Sequence, residues 1–413
     1  MRAVVSRRRT RPSRLVGVVK DTMILTQCAC CAAPLPHLAK QCSRCKTRFC
    51  GPACQKTHWE EGGHKDQCKQ IKRGGGAEQY HADKKCTAAV TVAAEACAED
   101  TKGQTCYICT QAVHWKTKEG LVRMCSCRGT AGFAHVSCLA EEAKILVAEA
   151  LERNLGNKAL ERNFCRWYKC SLCEQKYHGD VKCALGWACW KTYVGRLESD
   201  RLLSSAMRLL GNGLFAAEHY EDAAFVQETD FSIARRLGAP ERDVLAMQSN
   251  LASTYQRLGR LEDVLRMRRD VYSGWLKLNG KGSVDTLREA CNYAFSLTDL
   301  KRFEEAKALM RKTMPVARRV LGDSHETTLR MRASYAQSLY MNDRAPLDDL
   351  REAVTTFEET ERIARRVLGG ARPLTLAIEA NAREARDRLV AREGGRDVSS
   401  VCDAVAAMTP GGA

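Results

Sequence analysis

The sequence predicts two small metal-stabilised modules, each holding two ions, followed by an all-α solenoid of repeated helical hairpins. Three observations carry this reading. Of 22 cysteines in the 413 residues, 20 precede residue 190, and only Cys291 and Cys402 follow. Those early cysteines fall in close pairs with histidine interleaved, which is ligand spacing rather than a disulfide framework. Past residue 200 the chain turns to Leu, Ala, Arg and Glu in amphipathic runs whose residues recur every 42 positions.

Residues 1–27 are expected to form a basic, disordered N-terminal segment. The run Arg7–Arg8–Arg9–Thr10–Arg11 also fits a nuclear import signal or an organelle transit peptide. The opening lacks the continuous apolar core of a secretory leader, and no run of about 18 apolar residues is available to span a membrane. A cytoplasmic or nuclear location is expected. The formal charge of +17 is concentrated here, with 16 Lys and Arg against 4 Asp and Glu in residues 1–73. Four zinc ions held by 14 thiolates and two histidines bring that charge to +11, mostly in one N-terminal stretch, so nucleic acid has only charge behind it and is not the expected partner.

The first ligand series is Cys28-x2-Cys31, Cys42-x2-Cys45, Cys50-x3-Cys54 and His64-x3-Cys68. Eight ligands complete two closed tetrahedral sites. The pairs four residues apart suit one face of a helical turn. The 41 residues from Cys28 to Cys68 are too few for an apolar core, so metal must supply the folding free energy. With Phe49 before Cys50, Gln55 after Cys54 and Trp59 ahead of the histidine, residues 28–68 resemble a MYND zinc finger. The resemblance implies interleaved sites, Cys28, Cys31, Cys50 and Cys54 on one zinc and Cys42, Cys45, His64 and Cys68 on the other. It also implies a shallow groove for proline-containing peptides, with Gln55 and Trp59 touching the partner; alternatively Trp59 covers the small core. Four residues separate Trp59 from His64 where the family more often has two, which makes His58 a rival ligand. Cys30 is a surplus thiol. Residues 69–105 read as a linker, flexible at Gly74–Gly76, with a possible short alanine-rich helix.

The second series is Cys106-x2-Cys109, Cys125-x-Cys127, His135-x2-Cys138 and, after thirty-one residues, Cys170-x2-Cys173. This order and the segment CSCRGTAGFAHVSCL resemble the RING-CH, or RING-variant, finger over residues 106–178. The implied cross-brace puts Cys106, Cys109, His135 and Cys138 on one zinc and Cys125, Cys127, Cys170 and Cys173 on the other, with Cys165 near enough to compete. Residues 139–163 read as an inserted helix. Such fingers carry no nucleophile; they hold a ubiquitin-charged conjugating enzyme in position. The resemblance implies that Ile108, between the first two ligands, touches that enzyme. The family tends to place Trp shortly after the sixth ligand; CLAEEAK has none, and Trp167 is the expected substitute. Many active relatives follow the last ligand with a basic residue, but this chain has Glu174, with Lys176 two positions on.

Residues 179–392 are expected to be helical repeats, with Leu185, Trp187 and Trp190 joining the zinc module to the solenoid. Met247, Glu289 and Met331 lie one period apart, as do Leu251, Tyr293 and Tyr335, and Tyr255, Leu297 and Leu339. ARRLG at 234–238 recurs as ARRVLG at 317–322 and 364–369, the last with five extra residues attributed to MNDRAPL. Over roughly 205–392 this resembles the tetratricopeptide repeats of kinesin light chains. The resemblance implies core roles for the recurring Tyr and Leu, and a concave groove for an extended peptide. Arg257, Arg260, Lys301 and Arg302 read as solvated charges. Residues 393–413 are expected to be an unstructured tail.

No Gly-rich phosphate loop, nucleophilic triad or carboxylate pair is visible, and both zinc modules use full four-ligand sets that leave no catalytic position. The expected function is an adaptor-like ubiquitin ligase. Its RING-CH module would engage a ubiquitin-conjugating enzyme, and the MYND finger and repeats would bind peptide segments of substrates or partners. The alternative is a non-enzymatic zinc-dependent interaction scaffold.

Overall fold

The computed structural model describes residues 27–33, 35 and 39–407, with side chains described to residue 394. The basic run Arg7–Arg11, the side chain of Cys402 and residues 408–413 lie outside the described residues. The chain divides into two compact units, Met1–Lys84 and Lys85–Ala413.

In the first unit, β1 (Lys40–Gln41) and β2 (Arg48–Phe49) pair antiparallel, Lys40 opposite Phe49. Helices α1 (Pro52–Glu60) and α2 (His64–Arg73) follow. Pro52 opens α1, where its missing N–H has no helical partner to lose. Gly63, at φ 71°, makes the left-handed entry into α2 that a Cβ would strain. Phe49, Ile71, Ala77 and Tyr80 form the core together with Cys28, Cys42, Cys45 and Cys68. Half of that core is ligand sulfur, as expected where apolar side chains are too few.

Helix α3 (Ala77–Ala96) occupies much of the stretch expected as a linker, and Gly74–Gly76 form only a short turn before it. Alanine's high helix propensity and the burial of Ala82, Val90 and Ala93 account for this correction.

In the second unit, α4 (Val136–Glu152) and α5 (Gly156–Phe164) run between the second module's ligands. Glu119 caps α4, accepting the Ser137 N–H at 2.7 Å and the Ser137 hydroxyl at 2.9 Å. A 3₁₀ turn (Cys165–Trp167) leads back to Cys170. Helix α6 (Gly179–Tyr193) is buried along most of its length and packs against both α4 and α7 (Arg201–Ala216). Trp187, Trp190 and Leu185 lie inside this junction. The helices touch at glycine: a Cβ on Gly213 would meet the Lys182 carbonyl at 2.8 Å and Cys183 Cα at 3.0 Å. Because backbone cannot yield as a side chain does, Gly213→Val is expected to lower unfolding free energy by about 1–3 kcal/mol, measured by urea denaturation.

The hairpins continue with α8 (Tyr220–Arg236), α9 (Glu241–Arg257), α10 (Leu261–Asn279) and α11 (Val284–Asp299). Then come α12 (Phe303–Leu321), α13 (Glu326–Tyr340), α14 (Leu347–Leu368) and α15 (Pro373–Ala407). Successive helices pack, and α11 also packs on α13, one hairpin further on. Gly322 and Gly369 end α12 and α14 at φ 82° and 90°, which explains why the ARRVLG signature closes on glycine. Leu251, Tyr335, Leu297 and Leu339 are buried, while Tyr293 and Tyr255 are partly so. Helix α15 runs on through Gly394 and Gly395 to Ala407, a correction to the expected tail. Glycine inside a helix costs about 1 kcal/mol, which does not by itself end one.

Met247, Glu289 and Met331 are all buried, so the period places a carboxylate where its equivalents are methionines. Arg268, also buried, supplies the countercharge 3.6 Å from Glu289. Ser249 donates to Glu289 at 2.7 Å, and Arg268 donates to the Ser249 carbonyl at 3.0 Å and to the Ser253 hydroxyl at 2.6 Å.

Candidate metal centres and an adjacent apolar groove

Four of the Cys-x2-Cys pairs fold into the same knuckle. In each, the residue four after the first cysteine donates its N–H to that cysteine's carbonyl, and the cysteine's own N–H donates one residue further on. Ala32, Lys46, Thr110 and Glu174 occupy that fourth position with left-handed backbone, φ 58°, 66°, 62° and 56°. The closing bonds measure 2.9 Å at Cys28, 3.0 Å at Cys42, 2.8 Å at Cys106 and 3.0 Å at Cys170. The tight reversal turns both sulfurs of a pair toward one point.

Four groups of ligand atoms result, each with all atoms within 4.8 Å of one another. They are Cys28, Cys31, Cys50 and Cys54; Cys42, Cys45, His64 and Cys68; Cys106, Cys109, His135 and Cys138; and Cys125, Cys127, Cys170 and Cys173. Sulfur pairs lie 3.7 Å apart for Cys31 and Cys50, 3.8 Å for Cys42 and Cys68, and 3.7 Å for Cys127 and Cys170. A tetrahedral ion with metal–sulfur bonds of about 2.3 Å requires edges of about 3.8 Å. Sulfur–nitrogen edges are 3.4 Å from Cys45 to His64 Nε2 and 3.3 Å from Cys109 to His135 Nδ1. The residues therefore fit a closed tetrahedral metal site with sulfur and imidazole donors.

His135 also shows how its tautomer is set. Its Nε2 faces the Ala112 carbonyl at 3.4 Å, which favours the proton there and leaves Nδ1 as the ligand. Charge within the groups explains why a cation belongs in them. Burial raises the Cys28 thiol, but N–H groups of Cys31, Cys50 and Cys30 outweigh it and bring it to about 6. The Cys125 contact brings Cys170 down to about 4. Burial, then Cys170, pushes Cys127 up to about 12. Thiols this close cannot all ionise beside one another, and a dication removes that conflict.

The remaining thiols lie outside the groups. Cys165 sits 2.9 Å from the Tyr168 hydroxyl, Cys183 and Cys189 are buried in α6, and Cys30 stands beside the first pair. His58 is not in a group; its ring packs 5.3 Å from His64 and 5.6 Å from Phe49. Trp59 lies 5.6 Å from His64, 36% exposed, while Gln55 is partly buried.

Beside the third group runs a groove of about 460 Å³ whose apolar rim includes Ile108, Trp115 and Ile145. Ile108 is 40%, Trp115 69% and Ile145 50% exposed. Ile108 projects from the Cys106 knuckle. Trp115 projects from a turn of the same form without cysteine, in which Lys118, at φ 60°, donates to the His114 carbonyl at 2.9 Å. His114 Nδ1 accepts from the Thr117 N–H at 3.1 Å, fastening that turn.

Trp167, expected at this surface, is fully buried and stacks edge-on against Tyr193 at 5.9 Å. It anchors the 3₁₀ turn to α6, and Trp115 takes the surface position instead. Glu174 is engaged by Arg166 at 2.8 Å.

Residues 106–149 match the RING-variant domain model, and residues 290–327 match a tetratricopeptide repeat model. The first match ends within α4, and α5 and the 3₁₀ turn return the chain to the last ligand pair. No curated protein matches the chain. Among solved structures, it is similar to a putative kinesin light chain from Podosopora anserina with nearly identical TPR-like repeats. That likeness has 19% identity over 50% of this chain and 97% of the other, with a TM-score of 0.37. It is also similar to BtubC (BKLC) from P. vanneervenii, at 14% identity over 67% and 94%, TM-score 0.37. The TPR2AB-domain:pHSP90-complex of yeast Sti1 gives 12% over 60% and 99%, TM-score 0.22. The chain thus carries a RING-variant domain and tetratricopeptide repeats, with four Cys/His clusters ahead of a helical solenoid.

Proposed function

We propose that this protein is an adaptor-like ubiquitin ligase that binds four zinc ions. In this reading the RING-variant module receives a ubiquitin-conjugating enzyme, and the repeats and first finger hold substrate or partner proteins. The observation that carries it is the groove beside the third ligand group, where Ile108 and Trp115 stand exposed on two rigid turns. Apolar side chains so placed are costly to leave in water and suit a partner that covers them. Zinc, when bound, supplies no reactive centre; it fixes the turns that present those side chains. The protein's task is positional, holding a thioester for attack by a substrate amine.

The first unit is read as a MYND finger, supported by its interleaved ligands, by Phe49 packed on the histidines, and by the open face of Trp59 beside Gln55. Peptide segments are its partners, as they are the solenoid's. Fourteen thiolate ligands require a reducing compartment, hence the cytoplasm or nucleus. The second reading, a zinc-dependent scaffold without ligase output, is favoured by the acidic Glu174 after the last ligand, tied to Arg166.

The test is calorimetric titration of a panel of conjugating enzymes into the zinc-loaded chain. Ile108→Ala and Trp115→Ala are each expected to weaken binding by about thirtyfold, the loss of an interface anchor, with zinc content unchanged. Equal binding by both variants would remove the groove from the proposal.

A further inference from the structure

We infer that the recess between the second zinc module and the inner helices of the last repeats is a binding site for an acidic peptide segment. The inference rests on the peptide-binding reading of the solenoid and is independent of ubiquitin transfer.

Cations converge there from five separate parts of the second unit. Lys176 follows the last ligand pair, Lys182 is on α6, Arg330 is in the first turns of α13, and Arg372 immediately precedes α15. Arg288, one 42-residue period before Arg330, occupies the equivalent place on α11. These pieces are held together across nearly two hundred residues of sequence. Arg372 donates to the Lys176 carbonyl at 2.7 Å, and Ser126, between two ligands, donates to the Leu368 carbonyl at 3.3 Å.

Against these five cations stand few acids. Asp285 pairs with Arg288 at 2.7 Å and Glu326 with Arg330 at 3.0 Å, while the Glu289 carboxylate lies between buried Arg268 at 3.6 Å and the already paired Arg288 at 3.4 Å. No carboxylate pairs with Lys176 or Lys182 among the described residues, so about three positive charges are left over. Lys176 keeps contact with water yet is ringed by protein atoms, which describes a recess rather than a convex face. The Lys182 ammonium is brought down to about 8, first by lost hydration and then by Lys176, Arg330 and Arg372. Burial and then Arg372 and Lys182 hold His178 at about 4, so it adds no charge near neutral pH.

An arrangement of like charges without partners is unfavourable in the free protein and is relieved by an anion. A carboxylate-bearing chain is the occupant favoured here, because Arg288, Arg330 and Arg372 lie on α11, on α13 and just before α15, helices that pack on one another along the face of the solenoid read as holding extended peptides.

The probe is a fluorescein-labelled decapeptide of alternating Asp and Glu, measured by anisotropy with the full zinc-loaded chain at 50 and 200 mM salt. Lys182→Gln and Arg330→Gln, each checked for native helicity and zinc content, are expected to weaken binding on the order of tenfold, and added salt to weaken it further. A decapeptide of Asn and Ser should not bind. Unchanged affinity in both variants, or equal binding of the two peptides, would overturn the inference while leaving the solenoid a peptide binder. Tripolyphosphate binding at these residues with no acidic-peptide binding would overturn it in favour of a small anion. If no member of a randomised peptide library binds the chain, the peptide-binding reading itself fails.

Discussion

Chelating the metal from the intact chain is expected to unfold residues 39–73 and the loops of residues 106–178, while helices α7–α14 keep their slow hydrogen exchange. The physical reason is the imbalance of cores. In the first unit four apolar side chains share the interior with four ligand cysteines, whereas the solenoid has a continuous core from Leu287 to Ala385. A structural zinc site contributes on the order of 10–16 kcal/mol of folding free energy, against about 5–15 kcal/mol for a whole domain. Cys45→Ser should reproduce the loss in the first unit alone, and Cys170→Ser in the second module. Hydrogen exchange read by mass spectrometry, with released zinc titrated in parallel, checks both. Slow exchange persisting across residues 39–73 after complete chelation would show that metal does not hold this unit.

Replacing Glu289 with Met, the residue one repeat to either side, is expected to destabilise the solenoid by about 3–5 kcal/mol. The substitution makes the repeats more alike and adds apolar volume, yet it strands the Arg268 guanidinium with only Ser249 and Ser253 as acceptors. Burial already lowers the Arg268 pKa, with Glu289 opposing that shift. Removing Arg268 at the same time should recover most of the loss, because a buried ion pair and a packed apolar pair are often close in free energy. Urea unfolding of Glu289→Met, Arg268→Met and the double variant measures the coupling directly. Additive losses would show that the two charges do not depend on each other.

The ligand groups were legible because spacing alone decides them. A Cys-x2-Cys knuckle closes in one way, and four of them did so with the same left-handed residue at the fourth position. The solenoid was legible for a related reason, since a 42-residue period forces stacked hairpins and puts Leu251, Leu297 and Tyr335 inside. Side-chain direction beyond the ligands was not legible. Trp167 and Trp115 both flank ligands in sequence, but one lies under α6 and the other on a cysteine-free copy of the knuckle. The polar neighbours in HWKTKEG were the available sign that Trp115 belonged to a surface turn. Ile145, seven residues after Cys138 on α4, could have been found from helical spacing. In residues 69–105 the alanine-rich run was legible as a short helix, but its full twenty-residue extent was not, because that depends on the burial of Ala82, Val90 and Ala93. The basic recess was out of reach, because contacts such as Arg372 to Lys176 are made by the closure of the solenoid and leave no mark in local sequence.

The most direct measurement is the rate at which the zinc-loaded chain discharges ubiquitin from charged conjugating enzymes onto free lysine, beside Ile108→Ala and Trp115→Ala. The account predicts acceleration by the native chain with at least one enzyme, and loss of most of it in both variants at full zinc occupancy. No acceleration across a broad panel, from a chain shown to hold its four ions, would contradict the ligase reading and leave a zinc-dependent scaffold.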